Sequence, residues 1–140
     1  MKREIRFRAW HNSTKEMYKD VHTKSSFYEL FDNSLYELMQ FTGLKDKNGK
    51  EIYEGDILRC NWTARKKHGL DYVQVEEIKE KIQIHEVFYS VHAAGFFIAI
   101  NKELSEEKYK DEILLTVYRA KSFTEVIGNV YDNPELLSHE

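Results

Sequence analysis

The sequence predicts a mainly β protein: a strongly twisted antiparallel sheet with one or two short helices. Three observations carry this. Residues 3–10 alternate, with Ile5, Phe7 and Ala9 on one side and Glu4, Arg6 and Arg8 on the other, the period of two that a half-buried strand requires. Asn48-Gly49 sits between two apolar runs, and both residue types tolerate the positive φ of a tight hairpin turn. Aromatic residues make up 14% of the chain, with nine Tyr and eight Phe, and such side chains pack well on a pleated surface.

The elements follow in order. Residues 12–15 are turn chemistry, Asn12-Ser13-Thr14-Lys15, and residues 16–19 read as the return strand of a hairpin. Residues 25–33 read either as a short helix or as an irregular cover over one end of the sheet. Residues 39–59 organise the chain. They spell a strand, a tight turn at Lys47-Asn48-Gly49-Lys50, a half-turn at Tyr53-Glu54-Gly55-Asp56, and a second strand that runs on to Trp62. Gly55 is expected to supply a conformation closed to residues with a Cβ. Asp56 is placed to accept hydrogen bonds from backbone N–H groups where the strand begins. Leu58, Cys60 and Trp62 share one parity and should face the core; Arg59 and Asn61 share the other.

Beyond Trp62, residues 63–71 read as a polar, basic loop. Residues 72–75 form a strand in this reading, 79–81 a charged connection, and 82–91 a strand with apolar groups on both faces at its far end. Ala93-Ala94-Gly95 turns the chain and residues 96–100 return it. Residues 104–115 have a helical pattern, with Ser105 as N-cap, two acids behind it, and Tyr109 and Ile113 four apart. A mobile charged loop is the competing reading. Residues 116–119 and 123–131 are the last strands. Gly128 lies inside the second, where a missing side chain marks a bulge or a close backbone approach. Asn133-Pro134 opens a short helical turn, Asn133 as cap and Pro134 at the first position.

Three stretches carry a family resemblance. Leu38-Met39-Gln40-Phe41-Thr42-Gly43-Leu44-Lys45-Asp46-Lys47-Asn48-Gly49-Lys50, continuing through Glu51-Ile52-Tyr53-Glu54-Gly55-Asp56-Ile57, closely resembles the signature of the YopX family of phage and prophage proteins. Arg3-Glu4-Ile5-Arg6-Phe7-Arg8-Ala9-Trp10 looks like that family's opening strand. Val126-Ile127-Gly128-Asn129-Val130-Tyr131-Asp132-Asn133-Pro134-Glu135-Leu136-Leu137 looks like its closing segment. The motifs lie at the start, middle and end of the chain; residues 63–120 match none. The resemblance implies a small barrel-like β fold of phage origin, here an SH3-like pseudo-barrel. It implies no activity.

Composition bounds the rest. With 140 residues, one YopX-like domain over 1–140 is expected, long enough to bury a core without staples. The net charge of −3 argues against a protein whose main task is coating nucleic acid, and leaves a local basic patch open. One cysteine forms no intrachain disulfide, which suits a reducing cytoplasm. The first residues lack the apolar run of a signal peptide, and no apolar stretch approaches the about 18 residues of a membrane span. The expected location is the host cytoplasm.

Candidate chemistry is sparse. His85 and His92 are seven apart, so on one uninterrupted strand they face opposite sides, and no metal-ligand spacing appears among the six histidines. No metal or cofactor is expected. Cys60 reads as a core thiol rather than a nucleophile. Glu54 reads as exposed and Asp56 as a turn residue rather than a catalytic pair. Asn48, Gly49, Gly55, Asp56 and Gly128 form the structural turn set. Arg65, Lys66 and Lys67 beside Trp62 pair charge with an aromatic, the candidate nucleic-acid contact; Arg3, Arg6 and Arg8 on one outer face are a second. The expectation is a non-enzymatic accessory protein that binds a protein partner, with open, aromatic-rich edges favouring a homo-oligomer. A small nucleic-acid-binding module in phage replication or regulation is the alternative.

Overall fold

The computed structural model describes residues 4–67, 75–91, 94–99, 114–117 and 121–137, with side chains for all of these except 62–67, 75–81, 99 and 114–116. The strands among them are β1 (Phe7–His11), β2 (Glu16–Tyr18), β3 (Tyr36–Lys45), β4 (Glu51–Tyr53), β5 (Asp56–Lys67), β6 (Val75–Glu86), β7 (Phe88–Ser90), β8 (Gly95–Ala99), β9 (Leu114–Thr116) and β10 (Thr124–Asn129). They pair antiparallel in the orders β2-β1-β3-β4, β10-β5-β6 and β7-β8-β9, and curl strongly into a half-barrel. The described helical segments are 3₁₀ turns at Val21–Thr23, Phe27–Leu30, Lys121–Phe123 and Pro134–Leu137. Among the described residues no helix is long and apolar enough to cross a membrane.

The curl has local causes. Register shifts break the β3–β4 ladder between Phe41 and Leu44 and the β10–β5 ladder between Val126 and Gly128. An extra residue on one strand bends it and increases its twist. The three ladders meet at Gly55. Its N–H donates to the Val87 carbonyl at 2.9 Å, and its own carbonyl accepts from Val130 N–H at 2.9 Å. Val87 N–H returns a bond to the Asp56 carbonyl at 2.8 Å. One elbow therefore joins the β4–β5 corner to the β6–β7 corner and to the segment after β10.

Both sides of the sheet are covered around this elbow. Ile52, Leu58, Cys60, Val87, Ile98 and Val117 form one buried cluster, with Leu44, Phe96, Phe123 and Val126 packed against it. Ala9, Trp10, Met39, Phe41, Tyr53 and Ile57 are buried as well, and Trp10 stacks on Tyr131 with ring centroids 5.7 Å apart. The consecutive pairs Ile52/Tyr53 and Ile57/Leu58 are buried together, which a sheet open on one face would not allow.

Several sequence expectations hold. The β1–β2 hairpin turns at residues 12–15 with Ala9 opposite Tyr18. The Asn48-Gly49 turn joins β3 to β4, and Pro134 begins a short helical turn. Others change. Residues 63–67 are strand rather than loop, and residues 79–81 are strand rather than connection. The β5–β6 ladder runs from Ile57 opposite Glu86 to Lys67 opposite Val75. The stretch is rich in charge and lacks a clean apolar alternation, so its sequence imitates a loop. Residues 82–91 are two strands, because Val87 leaves the ladder to bond at the elbow. Residues 25–33, open between a short helix and an irregular cover, hold a 3₁₀ turn at Phe27–Leu30. The helical pattern at 104–115 lies outside the described residues except for Leu114 and Leu115, which open β9.

Candidate functional site

The elbow is also where charge is buried. Asp56 is 2% exposed. Its Oδ1 accepts from Arg8 Nη2 at 2.7 Å and its Oδ2 from Tyr53 N–H at 2.7 Å. The Arg8 guanidinium lies 4.6 Å from the centre of the Tyr53 ring and donates to the Glu54 carbonyl at 3.3 Å. Burial pushes the Asp56 carboxyl above its usual range, against the pull of Arg8. Burial likewise raises the Tyr53 hydroxyl. The expected bond from Asp56 to backbone N–H is present. Arg8 is the correction: it was assigned to an outer face and is 8% exposed. Alternation gives the parity of a residue, not how many layers cover that parity.

Arg6, immediately before β1, is engaged as well. Arg6 is held by Asp20 and Glu51 and lies over the Phe41 ring; Arg3 lies outside the described residues. Trp62, Arg65, Lys66 and Lys67 have their backbone in β5, and their side chains lie outside the described residues. Glu54 is partly buried rather than exposed, with Oε1 accepting from Gln40 N–H at 3.1 Å.

At the Asn48-Gly49 turn the positive φ falls on Gly49 and not on Asn48. Gly49 has φ +83° and Gly55 φ +84°. A Cβ on Gly128 would collide with the Asn133 side-chain oxygen, so this glycine marks the close approach of the closing turn to β10. Asn133 Oδ1 in turn accepts from Asn129 N–H at 3.3 Å. Asp46 escaped the sequence reading. It is 7% exposed; its Oδ1 accepts from Asn48 and Lys50 N–H at 2.8 and 2.9 Å, and its Oδ2 from Val126 N–H at 2.8 Å. An aspartate two residues before Asn-Gly is itself an Asx-turn signal.

Among the described residues no group of three His, Cys, Asp or Glu side chains stands close enough to hold a metal. His11 Nδ1 accepts from Ser13 and Thr14 N–H, and His22 Nδ1 from Phe7 N–H at 3.1 Å; both are structural. His68, His92 and His139 lie outside the described residues. Cys60 is fully buried, and burial pushes its thiol up to about 12, so the nucleophilic thiolate is not formed near neutral pH.

What stands out instead is an aromatic surface. Phe7, Phe27 and Phe31 contact one another, with centroids 5.1 to 6.1 Å apart. Phe31 is nevertheless 57% exposed, and Tyr28 and Ile5 are 70% and 53% exposed. The 3₁₀ turn Phe27–Leu30 is too short to bury both of its sides, so one ring packs on β1 while the next stays in water. The sequence showed these residues but left their segment ambiguous.

Comparison with known proteins agrees with the geometry. A family profile described as YopX protein matches residues 19–138. The crystal structure of protein EF1440 from Enterococcus faecalis is similar, with 28% identity and a TM-score of 0.55, over 97% of this chain and 99% of that one. No curated protein matches. A turn-and-elbow signature, a curled β sheet built around it and a profile that spans most of the sequence lead to one conclusion: the chain belongs to the YopX family.

Proposed function

We propose that the chain is a phage-type accessory protein of the host cytoplasm that works by binding a protein partner rather than by catalysis. The carrying observation is the exposed aromatic surface of Tyr28 and Phe31 beside Phe7 and Phe27. Aromatic side chains left in water on a folded surface are the usual anchors of protein interfaces, because they bury much area at little entropic cost. Family membership supports the phage-type assignment. Self-association belongs to the same reading. Among the described residues β6 has a strand partner on one side only, and its Ile82 is 63% exposed, which leaves an edge open to a second copy.

The test is a paired measurement on the wild type and a Tyr28→Ser/Phe31→Ser variant. Both substituted residues are exposed, so the variant should fold with a loss within about 1 kcal/mol. Its affinity for the partner captured by the wild type from phage-bearing cells should fall by about tenfold or more. Equal retention of that partner would overturn the assignment of this surface. Light scattering at micromolar concentration should give a multiple of the 16.7 kDa chain mass; a monomer across that range would remove the self-association.

A further inference from the structure

The Asn48-Gly49 turn borders a cleft of about 430 Å³ that has no role in the reading above. Its lining draws Lys45 and Lys47 from the segment before the turn, Lys121 and Ser122 from the segment before β10, and includes Leu44. The arrangement follows from Asp46. Its carboxylate turns inward to accept three backbone N–H groups, so the lysines on either side of it are exposed. The two segments are tied to each other. Lys47 N–H donates to the Thr124 carbonyl at 3.1 Å, and Val126 N–H donates to Asp46 Oδ2 at 2.8 Å. The 3₁₀ turn Lys121–Phe123 runs straight into Thr124. The two segments are therefore fixed before any ligand arrives, which lowers the cost of binding.

The charge is unbalanced. Among the described residues Lys45 and Lys47 take part in no ion pair. Glu4 is the one exposed carboxylate on the lining. The lining sets three lysines against Glu4 and the inward-turned Asp46, one positive charge in excess in a chain of net charge −3. We propose that the cleft binds the phosphate group of a small phosphomonoester. Compact ammonium charges on flexible stems suit a phosphate as point charges, and the Ser122 hydroxyl adds a donor. The volume lies within the range of small-ligand sites. The aromatic ring on the lining, Phe41, is 3% exposed, so no face is offered for stacking a base. A strand of nucleic acid is thereby disfavoured relative to a lone phosphate group.

The test uses the full chain and adenosine monophosphate as probe, followed by amide chemical-shift titration at low salt. Adenosine and inorganic phosphate separate the contribution of the base from that of the phosphate. A Lys45→Gln/Lys47→Gln variant, altered only at exposed side chains, and a single-stranded oligonucleotide complete the set. The expected result is saturable shifts confined to residues 43–47 and 121–124. The midpoint should be of order 1 mM for adenosine monophosphate, comparable for inorganic phosphate, absent for adenosine, and weakened about tenfold or more by the double substitution. Three outcomes would overturn the proposal: no saturation for either phosphate probe, unchanged binding by the variant, or an oligonucleotide that binds far more tightly than the monophosphate.

Discussion

Replacing Asp56 by alanine is expected to destabilise the fold by about 3–5 kcal/mol. The carboxylate is 2% exposed and serves two donors at 2.7 Å, the Arg8 guanidinium and Tyr53 N–H. Its loss leaves a buried cation without a counter-charge, in a guanidinium whose Nε already has no partner, and an orphaned backbone donor beside it. Asp56→Asn keeps an acceptor for Tyr53 N–H and removes only the charge, so it should fall between wild type and Asp56→Ala. The pair itself is a different quantity. Two charges taken out of water together recover little net stability, and an apolar replacement of both is often neutral. Arg8→Met/Asp56→Leu should therefore be markedly more stable than the sum of its single variants. Urea denaturation of the full cycle measures this, and an additive double variant would show that Arg8 and Asp56 do not act as one unit.

Gly55→Val should cost about 2–4 kcal/mol. Two penalties coincide there. The backbone sits at φ +84°, where a β-branched residue is strained. An added Cβ would also stand 3.0 Å from Met39 Sδ and 3.7 Å from Val130 Cγ2, so the core must shift. Gly49→Val separates the two. Its φ is nearly the same, +83°, but a Cβ there meets nothing within 4 Å. That variant should lose only the conformational part, about 1–2 kcal/mol. A loss at Gly55 below about 0.5 kcal/mol, within the range of ordinary surface changes, would mean the elbow yields freely.

Local chemistry explains what was legible in the sequence. Asn48-Gly49, Gly55 and Gly128 each announce a backbone state or a close approach that few other residues permit, and each sits where it was placed. The Leu58/Cys60 parity was legible because those residues lie where the sheet is thick. Arg8 was not legible, since its burial depends on Asp56, 48 residues away. The ribbon was not legible because its charged sequence offers no apolar period to read; only the register, with Lys66 opposite Glu77, betrays it. The break at Val87 is set by bonds to Gly55 and Asp56, a tertiary demand on a stretch that reads in sequence as one strand. The Phe7/Phe27/Phe31 surface required the turn geometry of residues 27–30 before exposure could be told from burial.

The central claim is that one elbow joins the three ladders and so fixes the frame on which the aromatic surface and the lysine cleft are displayed. Amide hydrogen exchange tests it most directly. The N–H groups of Gly55, Val87 and Val130 belong to different parts of the chain and bond across the elbow at 2.8 to 2.9 Å. They should exchange together and as slowly as Leu58 and Cys60 in the core, through global unfolding alone. Fast exchange at any of the three, while Leu58 and Cys60 stay protected, would contradict a shared elbow and leave the ladders as separately moving units.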